Sequence, residues 1–354
     1  MAAPGRELYY RTAPATCAVA ETVVTDDPVH ELIRLLSDGR WHSGEELADA
    51  FGVTRAAIWK RIKKLEQATG VELERVSGKG YRLSRPLELL DRQWILGQLQ
   101  EPASRHLQEL HLLSSTESTN SFLQARCVPL LNGGMACLAE HQTAGRGRRG
   151  RRWVSVFGRN LCLSLMWRFD LALQDLAGLS LAAGVALARV LQRAGLRGHR
   201  LKWPNDLMLE EKKLAGILVE ASGEANGPCS AIIGVGLNLE LDEEAAALID
   251  QPWTELHAHL ETRPGRNELA GALLNELLES CIRYQQEGLA PFLAEWKNWD
   301  GFLGKEVELI LGDTRLRGTH ADLDPRGGLI LESGGELRTF YAGEVSLRRS
   351  PGDE

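Results

Sequence analysis

The densest chemistry in this sequence lies at residues 145–152. There five arginines share eight positions with three glycines: Gly145-Arg146-Gly147-Arg148-Arg149-Gly150-Arg151-Arg152, followed by Trp153. Guanidinium forks grip phosphate and carboxylate through paired hydrogen bonds. Five like charges on a glycine-loosened backbone repel one another, so the loop is expected to order only around an anion. Two further clusters accompany it. Ser118-Thr119-Asn120 and, later, Gln142 supply small donors and acceptors suited to a compact polar ligand. The Ser-Thr-Asn run alone would equally serve as a helix cap. Lys202-Trp203-Pro204-Asn205-Asp206 precedes Lys212-Lys213-Leu214-Ala215-Gly216-Ile217-Leu218. Trp203 offers a flat apolar wall and Asp206 a carboxylate. Lys213, at the start of an apolar strand, offers an ammonium held in one place. A fixed cation beside an anion loop is what an adenylating enzyme needs, whereas Lys213 alone reads as an ordinary surface lysine. The arginine loop alone also suits a nucleic-acid arm, although it falls between strand-like runs and not in a tail.

Several chemistries find no support. There is no GxxxxGK[ST], GxSxG or HExxH, and Gly234-Val235-Gly236 lacks the third glycine of a dinucleotide fingerprint. The six cysteines form no CxxC and no histidine cluster has zinc-ligand spacing, so reduced thiols in a cytoplasmic protein are expected and a metal site is not. Apolar runs fall short of a membrane span, and residues 1–27 lack a signal core and are expected to be poorly ordered.

The elements that must position these groups divide the 354 residues into three parts. Residues 28–84 show three helical patterns. Ser43 with Glu46 forms a capping box for the second, and Thr54 caps the third, where Ile58, Ile62 and Leu65 share one face. Two short strand-like runs, 71–76 and 81–83, flank the turn Ser77-Gly78-Lys79-Gly80, which completes a winged helix-turn-helix. Residues 85–300 mix strands (162–167, 217–220, 231–239) with long helices (Leu179–Arg193 and 269–286) in one catalytic domain. Residues 301–349 carry short strand-like runs at 307–311, 329–331 and 337–341, expected to build a small β-barrel. The fold class is α+β, in several domains.

Charge separates the head from the rest. Residues 54–85 hold nine basic and three acidic side chains, a net +6 in a chain of −7, which leaves −13 elsewhere. Arg55, Lys60, Lys63 and Lys64 project from the third helix away from its apolar face, as a major-groove helix requires. Lys79 and Arg82 of the wing would grip backbone phosphate. A basic face on a protein-interaction module is the alternative.

These motifs, in this order, closely resemble the bifunctional biotin–protein ligase/biotin operon repressor family (the BirA type). The stretches that carry the resemblance include Trp41-His42-Ser43-Gly44-Glu45, Ser77-Gly78-Lys79-Gly80-Tyr81, the 145–151 loop, Lys202–Asp206, Lys213–Leu218, Gly234-Val235-Gly236-Leu237-Asn238 and Gly343-Glu344-Val345-Ser346-Leu347. It covers about residues 28–349 and implies a mixed-sheet catalytic domain similar to class II tRNA synthetases, with an SH3-like C-terminal barrel. It also implies two half-reactions: biotin and ATP, with Mg²⁺, form biotinyl-5′-AMP, and a lysine of the biotin carboxyl carrier protein of acetyl-CoA carboxylase takes the biotinyl group. By position, Ser118, Thr119, Asn120 and Gln142 would hold biotin. Arg146, Gly147 and Arg148 would wrap biotin and its activated carboxyl, and Arg151 and Trp153 would lie by the nucleotide. Lys213, Arg148 and Asp206 would be the catalytic set. A homodimer bearing adenylate would bind operator DNA and repress biotin synthesis. A lipoate-type ligase, or a ligand-sensing repressor without ligase activity, remains the rival reading.

Overall fold

The computed structural model describes residues 20–24, 28–126, 133–223, 227–241, 243–311, 314–341 and 345–349. The head is built from α1 (Pro28–Leu36), α2 (Gly44–Ala50), α3 (Arg55–Thr69) and the two-stranded wing β2 (Leu73–Val76) and β3 (Gly80–Leu83). Its local signals act as the sequence suggests. Ser43 Oγ accepts from Glu46 N at 3.0 Å while Glu46 Oε2 accepts from Ser43 N at 2.8 Å, and Thr54 Oγ1 accepts from Ala57 N at 3.2 Å. His42 exchanges two 2.9 Å backbone bonds with Tyr81, which fastens the wing to the turn before α2. Leu32, Ile33 and Leu36 of α1 meet Leu47 of α2 and Ile58, Ile62 and Leu65 of α3 in a closed apolar core.

The central domain continues with α4 (Arg92–Gly97), α5 (Ala103–His106), β4 (Leu107–Leu113), α6 (Thr119–Gln124), β5 (Gly134–Ala139), β6 (Asn160–Phe169), α7 (Leu179–Arg193), β7 (Arg200–Lys202), β8 (Asp206–Leu209), β9 (Lys212–Gly223), β10 (Cys229–Asn238), α8 (Glu243–Ala246), α9 (Arg266–Glu287) and α10 (Ala290–Trp299). One mixed sheet runs β4-β5-β6-β10-β9-β8-β7, with β4 and β5 parallel and the later pairs antiparallel. α7 and α9 cover one face. α7 belongs to a segment, Leu173–Arg193, long and apolar enough to be weighed as a membrane span, yet two thirds of it is buried in this core.

The N-terminal extension departs from expectation. Its described part forms a strand, β1 (Ala20–Val24), paired in parallel with β4, Ala20 opposite Glu109 and Val24 opposite Leu113. The open edge of β4 supplies unpaired backbone groups, and the run Ala-Glu-Thr-Val-Val is rich in β-branched residues. The rest of residues 1–27 lies outside the described residues, as do Cys17 and Cys127. Cys137, Cys162, Cys229 and Cys281 are free and buried.

The C-terminal part is a five-stranded antiparallel sheet of β11 (Glu306–Leu311), β12 (Thr314–Leu323), β13 (Leu329–Ser333), β14 (Glu336–Phe340) and β15 (Val345–Arg349), ordered β14-β13-β12-β11-β15. Its Val307, Leu309, Leu329 and Leu331 join the central core, and Trp203 Nε1 donates to Gly327 O at 2.9 Å. Trp203, expected as a ligand-facing wall, is almost fully buried and also ties the two parts together.

Candidate active site and DNA-binding face

Ser118, Thr119, Asn120, Gln142, Arg146, Gly147, Arg148, Arg151, Trp153, Asp206 and Lys213 all line one cavity of about 480 Å³. Residues up to 95 positions apart in sequence thus share one wall, within the size range of small-molecule sites. Ser118 is the N-cap position of α6, but its side chain makes no capping bond. Gln142 Oε1 accepts from Thr119 N at 2.8 Å and from Thr119 Oγ1 at 3.1 Å. Ser164 donates to Asn120 Oδ1 at 2.6 Å, and Asn120 Nδ2 donates to Glu220 Oε2 at 2.8 Å. Such a bonded cluster holds its side chains in set orientations, as recognition of a small polar ring demands.

The floor consists of glycine and tryptophan. A Cβ on Gly234 would fall 2.3 Å from Asn120 Oδ1, and one on Gly236 would fall 2.5 Å from the Trp153 ring. These two alternate positions of β10 face the same side of the sheet, so the Gly-Val-Gly run serves close approach and not nucleotide-loop geometry. Trp153 is the broad apolar wall beside Gly236, and Trp203 also borders the cavity. Trp153 Nε1 is buried without a partner.

The arginine loop is held at the cavity mouth by its own backbone. Gly147 N donates to Arg151 O at 2.7 Å, Trp153 N donates to Gly145 O at 2.9 Å, and Arg146 bridges Arg152. Hairpin-like bonds thus close the backbone of the loop between Gly145 and Trp153. Its side chains are differently placed. Arg146 pairs with Glu220 at 3.2 Å, while Arg148 Nη1 donates to Asn205 Oδ1 at 3.1 Å and Nη2 is buried without a partner. Burial first, then the Arg149 and Arg151 charges, hold Arg148 below the usual arginine range against the opposing pull of Asp206. A guanidinium so placed gains from an arriving anion. Lys213 Nζ lies 2.8 Å from Asp206 Oδ1. Lys213 is anchored at both backbone ends, its N donating to Pro252 O and its O accepting from Thr254 N, each at 3.0 Å.

The sequence reading missed Asn205, Ser164, Glu220, Gly216, Gly234 and Gly236 as site residues. Asn205 stood inside a motif already singled out, and Ser164 and Glu220 carried no local signal. On the head, Arg55, Lys60, Lys63, Lys64 and Lys79 are exposed, on α3 and the wing. Arg82 is more engaged, 2.6 Å from Glu74 and stacked over Trp41.

A cavity that joins a hydrogen-bonded polar end to the half-paired Arg148 and the Lys213–Asp206 pair, in a protein with a basic winged head, defines a class: ligases that activate a carboxylic acid for transfer to protein, fused to a DNA-binding unit. Residues 112–238 match the Biotin/lipoate A/B protein ligase family, 29–82 an HTH domain and 302–348 the Biotin protein ligase C terminal domain. More narrowly, the chain belongs to the family of bifunctional ligase/repressors named BirA. It is 42% identical over 318 residues to the Bifunctional ligase/repressor BirA of Escherichia coli (strain K12), spanning 90% of this chain and 96% of that protein. It is 32% identical over 324 residues to the protein of the same name from Bacillus subtilis (strain 168), spanning 90% and 98%. Among solved structures, the biotin protein ligase from Aquifex aeolicus in complex with biotin and ATP is 29% identical, with a TM-score of 0.57 over 68% of this chain and 99% of that one. The chain is thus a biotin–protein ligase, with biotin and ATP as substrates, joined to a transcriptional repressor.

Proposed function

We propose that biotin lies with its ring system among Ser118, Thr119, Asn120 and Gln142 and its carboxylate toward Arg146, Gly147, Arg148 and Lys213. A carboxylate oxygen attacks the α-phosphorus of ATP. The P–O bond to the β-phosphate breaks, and biotinyl-5′-AMP and pyrophosphate form. Lys213 and Arg148 stabilise the negative charge that builds on the α-phosphate, the kind of pre-placed electrostatic contribution that dominates many such steps. Asp206 holds Lys213 in place, and Trp153 and Arg151 flank the nucleotide. Among the described residues no group of three or more His, Cys, Asp or Glu is placed to hold a metal. Mg²⁺ would accompany the ATP phosphates and offset their charge, in keeping with a cation that takes few protein ligands. A carrier lysine amine then attacks the mixed anhydride and releases AMP. The acceptor is the biotin carboxyl carrier protein of acetyl-CoA carboxylase, in the cytoplasm.

The head provides the second output. With adenylate bound, two copies associate, and two α3 helices meet the half-sites of an operator through Arg55, Lys60, Lys63 and Lys64, with Lys79 and Arg82 on backbone. The observation that carries the ligase reading is the gathering of Lys213, Asp206 and the half-paired Arg148 opposite the Asn120–Gln142 cluster in one cavity. Incubation with carrier, ATP and either biotin or lipoate, followed by streptavidin blot and mass spectrometry, tests it. Lys213→Ala is expected to lower biotin transfer about 10²- to 10³-fold. Full carrier labelling by that variant would overturn the assignment, and labelling by lipoate in place of biotin would overturn the substrate.

A further inference from the structure

Of the large apolar side chains exposed on the described head, Leu35, Trp59 and Val76, only Trp59 is aromatic and lies on α3. Trp59 lies on α3, whose apolar face is already filled by Ile58, Ile62 and Leu65, and it remains 46% exposed. It stands one helical turn after Arg55 and one turn before Lys63, so all three share a stripe of the helix. Lys63 Nζ rests 4.0 Å from the ring centroid, a cation–π contact that covers one face of the indole. Nearly half of the residue is still left to solvent, on the helix assigned above to the major groove.

Base-edge chemistry selects what such a group can read. The indole carries one N–H donor, no acceptor, and an apolar plate. In the major groove only thymine sets an acceptor, O4, beside an apolar group, the 5-methyl. Cytosine presents a donor there, adenine a donor with N7, and guanine two acceptors without a methyl, which suit an arginine fork. We propose that Trp59 is a specificity-determining residue of the repressor head, which reads a thymine in each operator half-site through its 5-methyl and O4. Lys63, parked on the same ring, turns to the adjacent phosphate, so one side-chain pair combines base reading with backbone grip. The inference rests on α3 entering the major groove.

The test uses the full chain with biotin, ATP and Mg²⁺ and a library of random-sequence duplex DNA. Parent protein is expected to select a consensus with a thymine in each half-site at a position that Trp59→Ala leaves degenerate. Replacing that thymine by deoxyuridine removes only the methyl and should weaken the parent about fourfold per half-site, the worth of one buried methyl-sized group. It should leave Trp59→Ala unaffected. Trp59→Phe keeps an apolar ring without the donor, so it should stay sensitive to the methyl. Lys63→Ala should weaken all sequences alike and flatten the salt dependence. An unchanged consensus with unchanged deoxyuridine sensitivity in Trp59→Ala would overturn the proposal. If the parent selects no sequence at all, the DNA reading of the head falls, and this inference with it.

Discussion

At the residue scale, the site depends as much on absent side chains as on charged ones. Gly234 and Gly236 leave room for Asn120 and for the Trp153 ring. A methyl at Gly234 would stand 2.3 Å from Asn120 Oδ1, inside van der Waals contact, so Asn120 must shift and its bonds to Ser164 and Glu220 must change. Overpacking of this kind costs about 1–3 kcal/mol, here spent on ligand geometry. Gly234→Ala is expected to weaken biotin binding roughly 5- to 150-fold, the equivalent of that energy, while unfolding stays cooperative. Isothermal titration with biotin checks this, and unchanged affinity would show that Asn120 can move without loss. Position 234 was visible in the sequence as part of a Gly-Val-Gly run. Its purpose was not, because nothing nearby in the chain names Asn120 as its neighbour.

At the element scale, the passage from head to ligase domain is tied down by polar bonds and one apolar plug. The Glu88 carboxylate accepts from Arg266 N at 2.6 Å and Asn267 N at 3.0 Å, and so caps α9, whose own N-cap, Gly265, has no side chain to do so. Leu90 N donates to Glu140 Oε1 at 2.6 Å, and the other oxygen of Glu140 pairs with Arg266, both side chains almost fully buried. Phe157, four residues beyond Trp153, sits within the head's apolar core beside Leu87. The linker is therefore anchored on both sides of its course. Glu140→Ala would leave a buried guanidinium unpaired, a loss of about 3–5 kcal/mol. Urea unfolding should show that loss, and a midpoint within error of the parent would mean that the neighbouring carbonyls of Asn160 and Ala139 suffice for Arg266.

At the scale of the whole molecule, buried and half-buried histidines set a direction for pH dependence. His111, His141, His199, His257 and His320 are all held below the ordinary imidazole range, in each case chiefly by burial. In the unfolded chain these rings take up a proton near pH 6.5. The folded rings resist it to lower pH, so the unfolded state binds more protons as pH falls. Their contribution is fully present above about pH 6.5 and is lost below it. The urea midpoint should therefore drop between pH 7.5 and 5.5, and a flat or rising midpoint would refute the assignment of neutral buried rings. Charge is also partitioned at this scale, with +6 on residues 54–85 and −13 elsewhere. DNA is thereby drawn to the head.

The sequence by itself determined what depends on near neighbours. Caps at Ser43 and Thr54, the α3 stripe, the turn at Ser77–Gly80 and the apolar run of Leu179–Arg193 are local patterns, and each became the element it implied. It also named many of the charged and polar groups of the cavity, the arginine loop and Lys213 among them, because their density marked them without knowledge of the fold. Tertiary structure decided the rest. β12 was not anticipated, since Thr314–Leu323 alternates charge with little apolar content and is drawn into the sheet by β11 and β13. The 20–24 strand formed because β4 left an edge to pair with. The Glu140–Arg266 pair spans 126 positions. The arginine loop, dense in like charge, gave no local sign of its backbone bonds. It closes because its two ends, Gly145 and Trp153, lie close enough to bond.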